Sequence, residues 1–184
     1  MNFNLISSKI KLMDSFKIGD KVIYPTQGIG IIEDIKEANL FGETFRIYHV
    51  RILANNSLVL VPVANTGEVG LRKPISGEAV ENIFDFIRHS PIDIHRDWKE
   101  RYKENQNLMK SGQIFDVALV LKSLYYLNLQ RSLSFREKAM MEKAKELIVS
   151  ELAEASSLSA LEIEKKLEEC LAQCFQPFKP EPQI

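Results

Sequence analysis

The hydrophobic pattern of this 184-residue chain changes period near residue 72, and that change limits the possible folds more than any other feature. Before it, short apolar runs are separated by Gly, Pro and Asn, whereas after it the apolar residues recur at helical spacing. Strands and amphipathic helices bury their apolar sides against different neighbours. The pattern therefore predicts a β unit followed by an all-helical unit, joined near residues 72–76, in a chain long enough for two small domains.

Four runs in the N-terminal half are rich in β-branched and aromatic residues, as strands are. They comprise residues 21–24, 28–35, 44–53 and 58–63. We expect residues 36–39 to form a polar connection and residues 54–57 to form a turn. Gly28 and Gly30 permit tight turning or a bulge. Short strands with this spacing predict a small twisted β-barrel or an open sheet.

The run over residues 44–53 alternates between two faces, with Phe45 and Ile47 on one and Tyr48 and Val50 on the other. Two placements of this run are open. An edge strand of this kind can accept a strand from a partner protein through main-chain hydrogen bonds. An internal strand would already be paired on both sides.

The C-terminal half carries the start and stop signals of helices. Apolar residues at i, i+3, i+4 and i+7 predict a helix over residues 78–88, and a similar pattern covers residues 114–129. Asp97 can cap a further helix that Gly112 closes. Two S-x-x-E capping boxes predict the starts of two more helices. These boxes lie at Ser134–Glu137 and Ser159–Glu162.

The formal net charge of −1 hides an uneven distribution of charge along the chain. Residues 96–145 contain 11 Lys/Arg against 6 Asp/Glu, a charge of +5, whereas residues 146–184 contain 3 against 8, a charge of −5. A basic segment of this kind suits an anionic partner, and a solvated basic helix face is the alternative.

The basic segment opens around the one tryptophan of the chain, Trp98, with cationic residues at positions 96, 99, 101 and 103. Two uses of the ring compete. It is either a core anchor with solvated charges beside it, or a surface ring that faces an anionic polymer such as nucleic acid.

No constellation of residues in the chain points to catalysis. There is no P-loop and no G-x-G-x-x-G pattern, and the three histidines are scattered. Cys170 and Cys174 lack a further metal-ligating pair nearby, so we expect no metal site. Without a recognisable binding motif we also expect no cofactor and no small-molecule substrate. We also expect no membrane span and no signal peptide, and two cysteines fit a reducing cytoplasm. The chain is therefore predicted not to be an enzyme.

Four blocks of sequence resemble the CarD/CdnL family of bacterial transcription regulators. The first, Phe16–Pro25 followed by Gly28 and Gly30, is also similar to the polymerase-interacting domain of the transcription-repair coupling factor. The other blocks comprise residues 61–63 with 69–72, residues 98–105, and residues 133–138 with 144–145. In their order and spacing the blocks span roughly residues 16–155, most of the chain.

The resemblance implies an α+β fold, in which an N-terminal Tudor-like small β-barrel precedes an all-α helical domain. The Tudor-like domain, residues 16–72, would bind the β subunit of RNA polymerase. The helical domain, residues 77–175, would contact promoter DNA without reading its sequence. Residues 1–15 would form an N-terminal extension and residues 176–184 an irregular tail. The resemblance also implies a cytoplasmic protein that is associated with the nucleoid through RNA polymerase.

The resemblance further implies that Trp98 enters the minor groove at the upstream edge of the melted DNA and stabilises the open promoter complex. The expected DNA-binding residues are Trp98, Lys99, Arg101, Lys103 and Lys138. On the β unit, some relatives carry arginines where this chain has Ala38 and Leu60. The expected polymerase-binding residues are Leu40, Arg46, Tyr48, Arg51 and Leu60.

Two other functions are open on the sequence. A protein-interaction adaptor would bind RNA polymerase without touching DNA and would bury Trp98 in its core. An autonomous DNA-binding protein would bind promoter DNA tightly without polymerase, and the modest excess of positive charge argues against it.

Overall fold

A computed structural model of the chain describes residues 16–40, 43–93 and 97–175. The expected N-terminal extension and the expected irregular tail lie outside these ranges. The described residues form two compact units. One comprises residues 16–24 and 29–73, and the other comprises residues 25–28 and 74–175.

The first unit is a four-stranded antiparallel sheet in the order β1-β2-β3-β4, curled into a half-barrel. Its strands are Lys21–Tyr24 (β1), Gly28–Leu40 (β2), Glu43–Ile52 (β3) and Leu58–Pro62 (β4). A 3-10 turn, Val63–Asn65, and the one-turn helix α1, Thr66–Val69, follow β4. The predicted Tudor-like β module is confirmed.

Two details of the sheet differ from what the sequence suggested. Residues 36–39 are part of β2 and not a connection, because they pair with residues 44–47 of β3. Their polar side chains are tolerated since this end of the hairpin is largely exposed. β3 is an internal strand, bonded to both β2 and β4, so the edge placement is wrong. The bulge lies at Ile32–Asp34 in β2.

The core of the β unit comes from alternate residues of its strands, since successive side chains of a strand point to opposite faces. The buried strand residues include Val22, Ile32, Tyr48, Val50, Ile52 and Val61. Gly30 allows β2 and β3 to approach closely, because an added Cβ there would lie 2.7 Å from Cγ1 of Val50. A larger residue at position 30 would force the two strands apart.

The second unit contains five helices of 10 to 21 residues among the described residues. They are α2 (Val80–His89), α3 (Trp98–Ser111), α4 (Ile114–Gln130), α5 (Phe135–Ala155) and α6 (Ala160–Cys174). The central helix is α4, which buries apolar residues along most of its length and packs against α2, α3 and α5. The predicted all-helical domain is confirmed.

The helix ends follow the capping signals of the sequence. The Asp97 side chain caps α3, and Gly112 ends that helix in the left-handed conformation at φ 67°. The capping boxes at Ser134–Glu137 and Ser159–Glu162 are both formed, at the starts of α5 and α6. Local hydrogen bonds therefore fix the first residue of each of these helices.

Candidate functional site

Trp98 is the first residue of α3, and the cap before it sets its position. The Asp97 carboxylate accepts hydrogen bonds from the backbone N–H groups of Lys99 (2.8 Å) and Glu100 (3.0 Å), which fixes the start of the helix. The Trp98 side chain is 57% exposed, and the Lys99 ammonium lies 5.8 Å from its ring centroid. The core-anchor interpretation of Trp98 is therefore wrong.

Trp98 lines a groove of about 730 Å³ in the helical unit, which we call the aromatic groove. Three residues of α3 line it, Trp98, Arg101 and Tyr102. The rest of the lining is formed by Arg131, which follows α4, and by residues 134–137 at the start of α5. Its lining combines aromatic rings with guanidinium groups. That combination suits the bases and phosphates of nucleic acid.

The aromatic groove includes a second exposed aromatic residue that the sequence analysis did not single out. Phe135, the first residue of α5, is 87% exposed, and its neighbour Arg136 also lines the groove. A helical-wheel analysis identifies Phe135, since it lies on the side of α5 opposite to the stripe that buries Ala144 and Ile148. Two aromatic side chains from different helices therefore reach solvent in one groove.

Arg101 does not lie where a DNA contact requires it. It is 7% exposed and shares with Asn105 and Met109 the stripe of α3 that is buried. Its Nη2 donates to Oε1 of Glu137 at 3.1 Å. A buried cation needs such a partner, because its desolvation is otherwise uncompensated. The assignment of Arg101 as a DNA-contact residue is corrected to a structural role.

Glu137 is the acidic centre of the aromatic groove. Besides Arg101, its carboxylate accepts hydrogen bonds from Arg131 Nη2 (2.9 Å) and Nη1 (3.3 Å) and from the N–H (3.0 Å) and hydroxyl (2.9 Å) of Ser134. Burial alone would raise the pKa of Glu137, but the hydrogen bonds from Arg131, Ser134 and Arg101 outweigh it and lower the pKa to about 2. The ionised carboxylate thus connects α3, Arg131 and the start of α5.

The other predicted DNA-contact residues are exposed cations. Lys99 and Lys103 lie one turn apart on α3, and Lys138 lies in the first turn of α5. Arg96 falls outside the described residues. Arg131 was missed by the sequence analysis, since it lies in a connection that carries no periodic pattern. Of these cations, Arg131 lines the groove and Lys99 lies beside the Trp98 ring.

The five predicted polymerase-contact residues do not share one surface of the β unit. Arg51 and Leu60 lie on the outer face of the sheet, opposite the core. Arg46 is exposed but alternates onto the side of the core residues. For Leu40 the structure describes only the backbone, at the end of β2.

Tyr48 is a core residue and not a surface contact. It is 2% exposed, and its ring meets that of Phe16 edge to face at 5.7 Å between centroids. Its hydroxyl accepts a hydrogen bond from the Phe16 N–H at 3.1 Å. The assignment of Tyr48 as a polymerase contact is corrected, because strand alternation places it with Val50 and Ile52 inside the β unit.

The outer face of β3 and β4 carries the exposed residues Phe45, Leu58 and Leu60 and the half-buried Arg51, a set that we call the outer patch. Leu58 and Leu60 belong to β4, which pairs with β3 alone among the described strands. Arg51 pairs in register with Leu58 and forms a bidentate ion pair with Glu33 at 2.8 and 3.1 Å. That pair raises the pKa of Arg51 and lowers the pKa of Glu33.

The two thiols lie away from both surfaces and bond to the main chain. Cys170 donates to the Phe84 carbonyl and Cys174 to the Ile87 carbonyl, and burial raises the pKa of Cys170. In the described parts of the chain, no three His, Cys, Asp or Glu side chains are placed to hold a metal ion. No helix there is both long and apolar enough to cross a membrane.

Two family models match the chain. "CarD, C-terminal domain" matches residues 82–168, and "CarD-like/TRCF RID domain" matches residues 16–75. The Bacillus subtilis (strain 168) protein "Putative transcription factor YdeB" is 33% identical over 137 residues, which are 74% of this chain and 90% of that protein. The solved structure "CdnLNt from Myxoccoccus xanthus" is 40% identical, with 35% of this chain and 92% of that chain covered and a TM-score of 0.30.

Proposed function

Because the chain belongs to the CarD/CdnL family of transcription regulators, we propose that it binds the β subunit of RNA polymerase through its β unit and stabilises the open promoter complex through its helical unit. The observation that carries the proposal is the exposed ring of Trp98, in a groove that also contains Phe135 and arginines. In this proposal Trp98 enters the minor groove at the upstream edge of the melted DNA.

The proposed action of Trp98 is a shift of an equilibrium. An apolar ring inserted at a base step favours unstacked, kinked DNA over the closed duplex. The regulator stabilises the open complex only by the difference between its affinities for the two forms. Phe135 adds a second apolar surface in the same groove, and stacking on such a ring tolerates any base.

The exposed cations near the aromatic groove supply the attachment. Lys99, Lys103, Lys138 and Arg136 are exposed on the two helices that contribute Trp98 and Phe135. Arg136 lines the groove and Lys99 lies beside the Trp98 ring, which fits contacts to backbone phosphates. Such contacts are sensitive to salt and carry no base specificity. In this proposal the choice of promoter therefore comes from the polymerase holoenzyme.

The outer patch and the free side of β4 are the surface we assign to the polymerase. Exposed apolar residues next to a charged pair, here Arg51 and Glu33, are typical of a surface that contacts another protein. Since β4 is the last strand of the sheet among the described residues, its main chain can pair with a strand of the partner. Leu60 and Arg51 remain in this assignment, and Leu58 and Phe45 join them.

The wedge is tested by the lifetime of the open promoter complex with Trp98→Ala protein, measured after a competitor challenge. We expect a shorter lifetime while binding to polymerase is unchanged, and a smaller effect for Phe135→Ala. Leu161→Ala is the control, since Leu161 is an exposed apolar residue of α6 that does not line the groove. If the Trp98→Ala protein binds and the lifetime of the open complex is unchanged, the wedge is wrong and the adaptor function is the better explanation.

The polymerase surface is tested by co-purification of the full chain with the β subunit. Leu60→Glu puts a charge in the outer patch, so we expect it to weaken the complex. Ile18→Glu is the matched control, because Ile18 is equally exposed but lies outside β3 and β4. Equal co-purification of both variants would contradict the assignment.

A further inference from the structure

The buried carboxylate of Glu137 forms ion pairs with two arginines in the helical unit. Glu137 accepts hydrogen bonds from Arg101 of α3 and from Arg131, which follows α4. Two guanidinium groups therefore converge on one carboxylate beside the aromatic groove, which both arginines line.

The two arginines differ in their access to solvent. The Arg101 side chain is 9% exposed, whereas that of Arg131 is 43% exposed. Arg101 therefore meets Glu137 in the interior, whereas Arg131 meets the same carboxylate at the surface. Unlike Arg101, Arg131 lies in a connection between helices, so no helix fixes the direction of its side chain.

The direction of Arg131 comes from its hydrogen bonds. Its Nη1 and Nη2 both donate to Glu137, and Nη1 also donates to the Ser132 carbonyl at 2.9 Å. A guanidinium held this way has lost much of its rotamer freedom before any ligand arrives, which lowers the entropic cost of binding. These three bonds leave one N–H of Nη2 and the N–H of Nε on the other edge of the planar group, and those two donors can meet the oxygens of a phosphate group.

We propose that Arg131 binds a backbone phosphate of the DNA that the aromatic groove contacts, and that Glu137 is the positioning residue that directs it. This inference rests on the proposed function and adds two residues to it. A phosphate fits better than a protein carboxylate because the same groove presents the exposed rings of Trp98 and Phe135, on which bases can stack beside the phosphate.

The test is the salt dependence of the protein's affinity for the polymerase–promoter complex. Loss of one phosphate contact makes the slope of log K against log salt less steep by about 0.9, which is the expected result for Arg131→Gln. Arg88→Gln is the matched control, since Arg88 is 40% exposed, bonds Asp85 at 2.8 Å and lies away from the groove. Its slope should equal that of the wild type.

Glu137→Gln distinguishes the positioning of Arg131 by Glu137 from the effect of the negative charge of Glu137 on the affinity for DNA. The substitution removes a negative charge near DNA, so electrostatics alone would raise the affinity, whereas loss of positioning lowers it. The comparison is made at a temperature where thermal denaturation shows the variant folded. A higher affinity overturns the positioning role.

The outcomes also separate this inference from the wedge. An unchanged slope for Arg131→Gln overturns the phosphate contact, and the wedge stands if Trp98→Ala still shortens the lifetime of the open complex. A reduced slope with an unchanged Trp98→Ala lifetime supports the phosphate contact and overturns the wedge.

Discussion

The two units each bury one side chain that the sequence assigned to a partner, and the two burials differ in kind. Tyr48 is a neutral phenol in the apolar core of the β unit, where the Phe16 N–H bonds its hydroxyl. Arg101 brings a charge into the helical unit and pairs with Glu137, which is buried as well. A neutral polar group needs one hydrogen bond, whereas a buried charge needs a counter-charge.

The two kinds of burial predict which substitutions destabilise each unit most. The β unit depends on apolar packing, to which buried hydrogen bonds such as that of Tyr48 are added. The helical unit depends near its proposed DNA surface on a charged cluster in which each member requires the others. Loss of one polar group should therefore cost the helical unit more than the β unit.

The largest expected effect is that of Glu137→Ala. It leaves Arg101 buried without its counter-charge and removes the capping box of α5, so we expect a loss of about 3–5 kcal/mol in the free energy of unfolding. Glu162→Ala is the matched control, because Glu162 occupies the same capping-box position in α6 but is exposed. Its loss should be about 1 kcal/mol. Urea denaturation measures both, and equal losses would show that the charged cluster adds nothing beyond capping.

The second effect is a pH dependence that the Tyr48 contact of the β unit should not share. The pKa of Glu137 is about 2 in the folded protein, against an ordinary 4.5, so its contribution is complete above pH 4.5 and is lost as the pH falls toward 2. A shift of this size corresponds to a contribution on the order of 3 kcal/mol. The stability difference between wild type and Glu137→Gln should therefore shrink between pH 4.5 and pH 2.

The control for that titration is Tyr48→Phe in the β unit. This substitution changes no carboxyl group, so the stability difference between wild type and this variant should stay constant over the same acid range. A difference for Glu137→Gln that is equally constant would mean that Arg131, Ser134 and Arg101 do not lower the pKa of Glu137 in the folded state.

A smaller loss is expected from Tyr48→Phe at neutral pH. Removal of the hydroxyl leaves the buried Phe16 N–H without its acceptor, which costs about 1–2 kcal/mol. Tyr24→Phe, in the same unit, should change the free energy of unfolding by less than about 0.5 kcal/mol. Polymerase binding should be unaffected by Tyr48→Phe, and a specific loss of binding would restore Tyr48 to the contact surface.

The smallest effect on stability is expected from Trp98→Ala, although its effect on the open complex is large. An exposed ring contributes little to folding, so the free energy of unfolding should change by no more than about 0.5 kcal/mol. Leu124→Ala, in the buried stripe of α4, should instead cost about 2–5 kcal/mol. A loss of that size for Trp98→Ala would show that the ring is packed and not free.

Several features of the fold could be predicted because they depend on residues close together in the chain. The caps at Asp97, Ser134 and Ser159 bond backbone groups two or three residues away, and all three form as expected. Strand alternation also grouped Tyr48 with Val50, which are both buried. The sequence alone did not say that this face is the inner one, because that depends on what covers it.

What the amino-acid sequence by itself determined is the order of the two units, the ends of most helices and the family resemblance. Only the tertiary structure decided which surfaces these elements form. It paired Arg101 with Glu137, 36 positions away, and brought Trp98 and Phe135 from two helices to one groove. The physical reason is that a cap is a bond between near neighbours, whereas a groove depends on which helix faces meet, and all the helices together settle that packing.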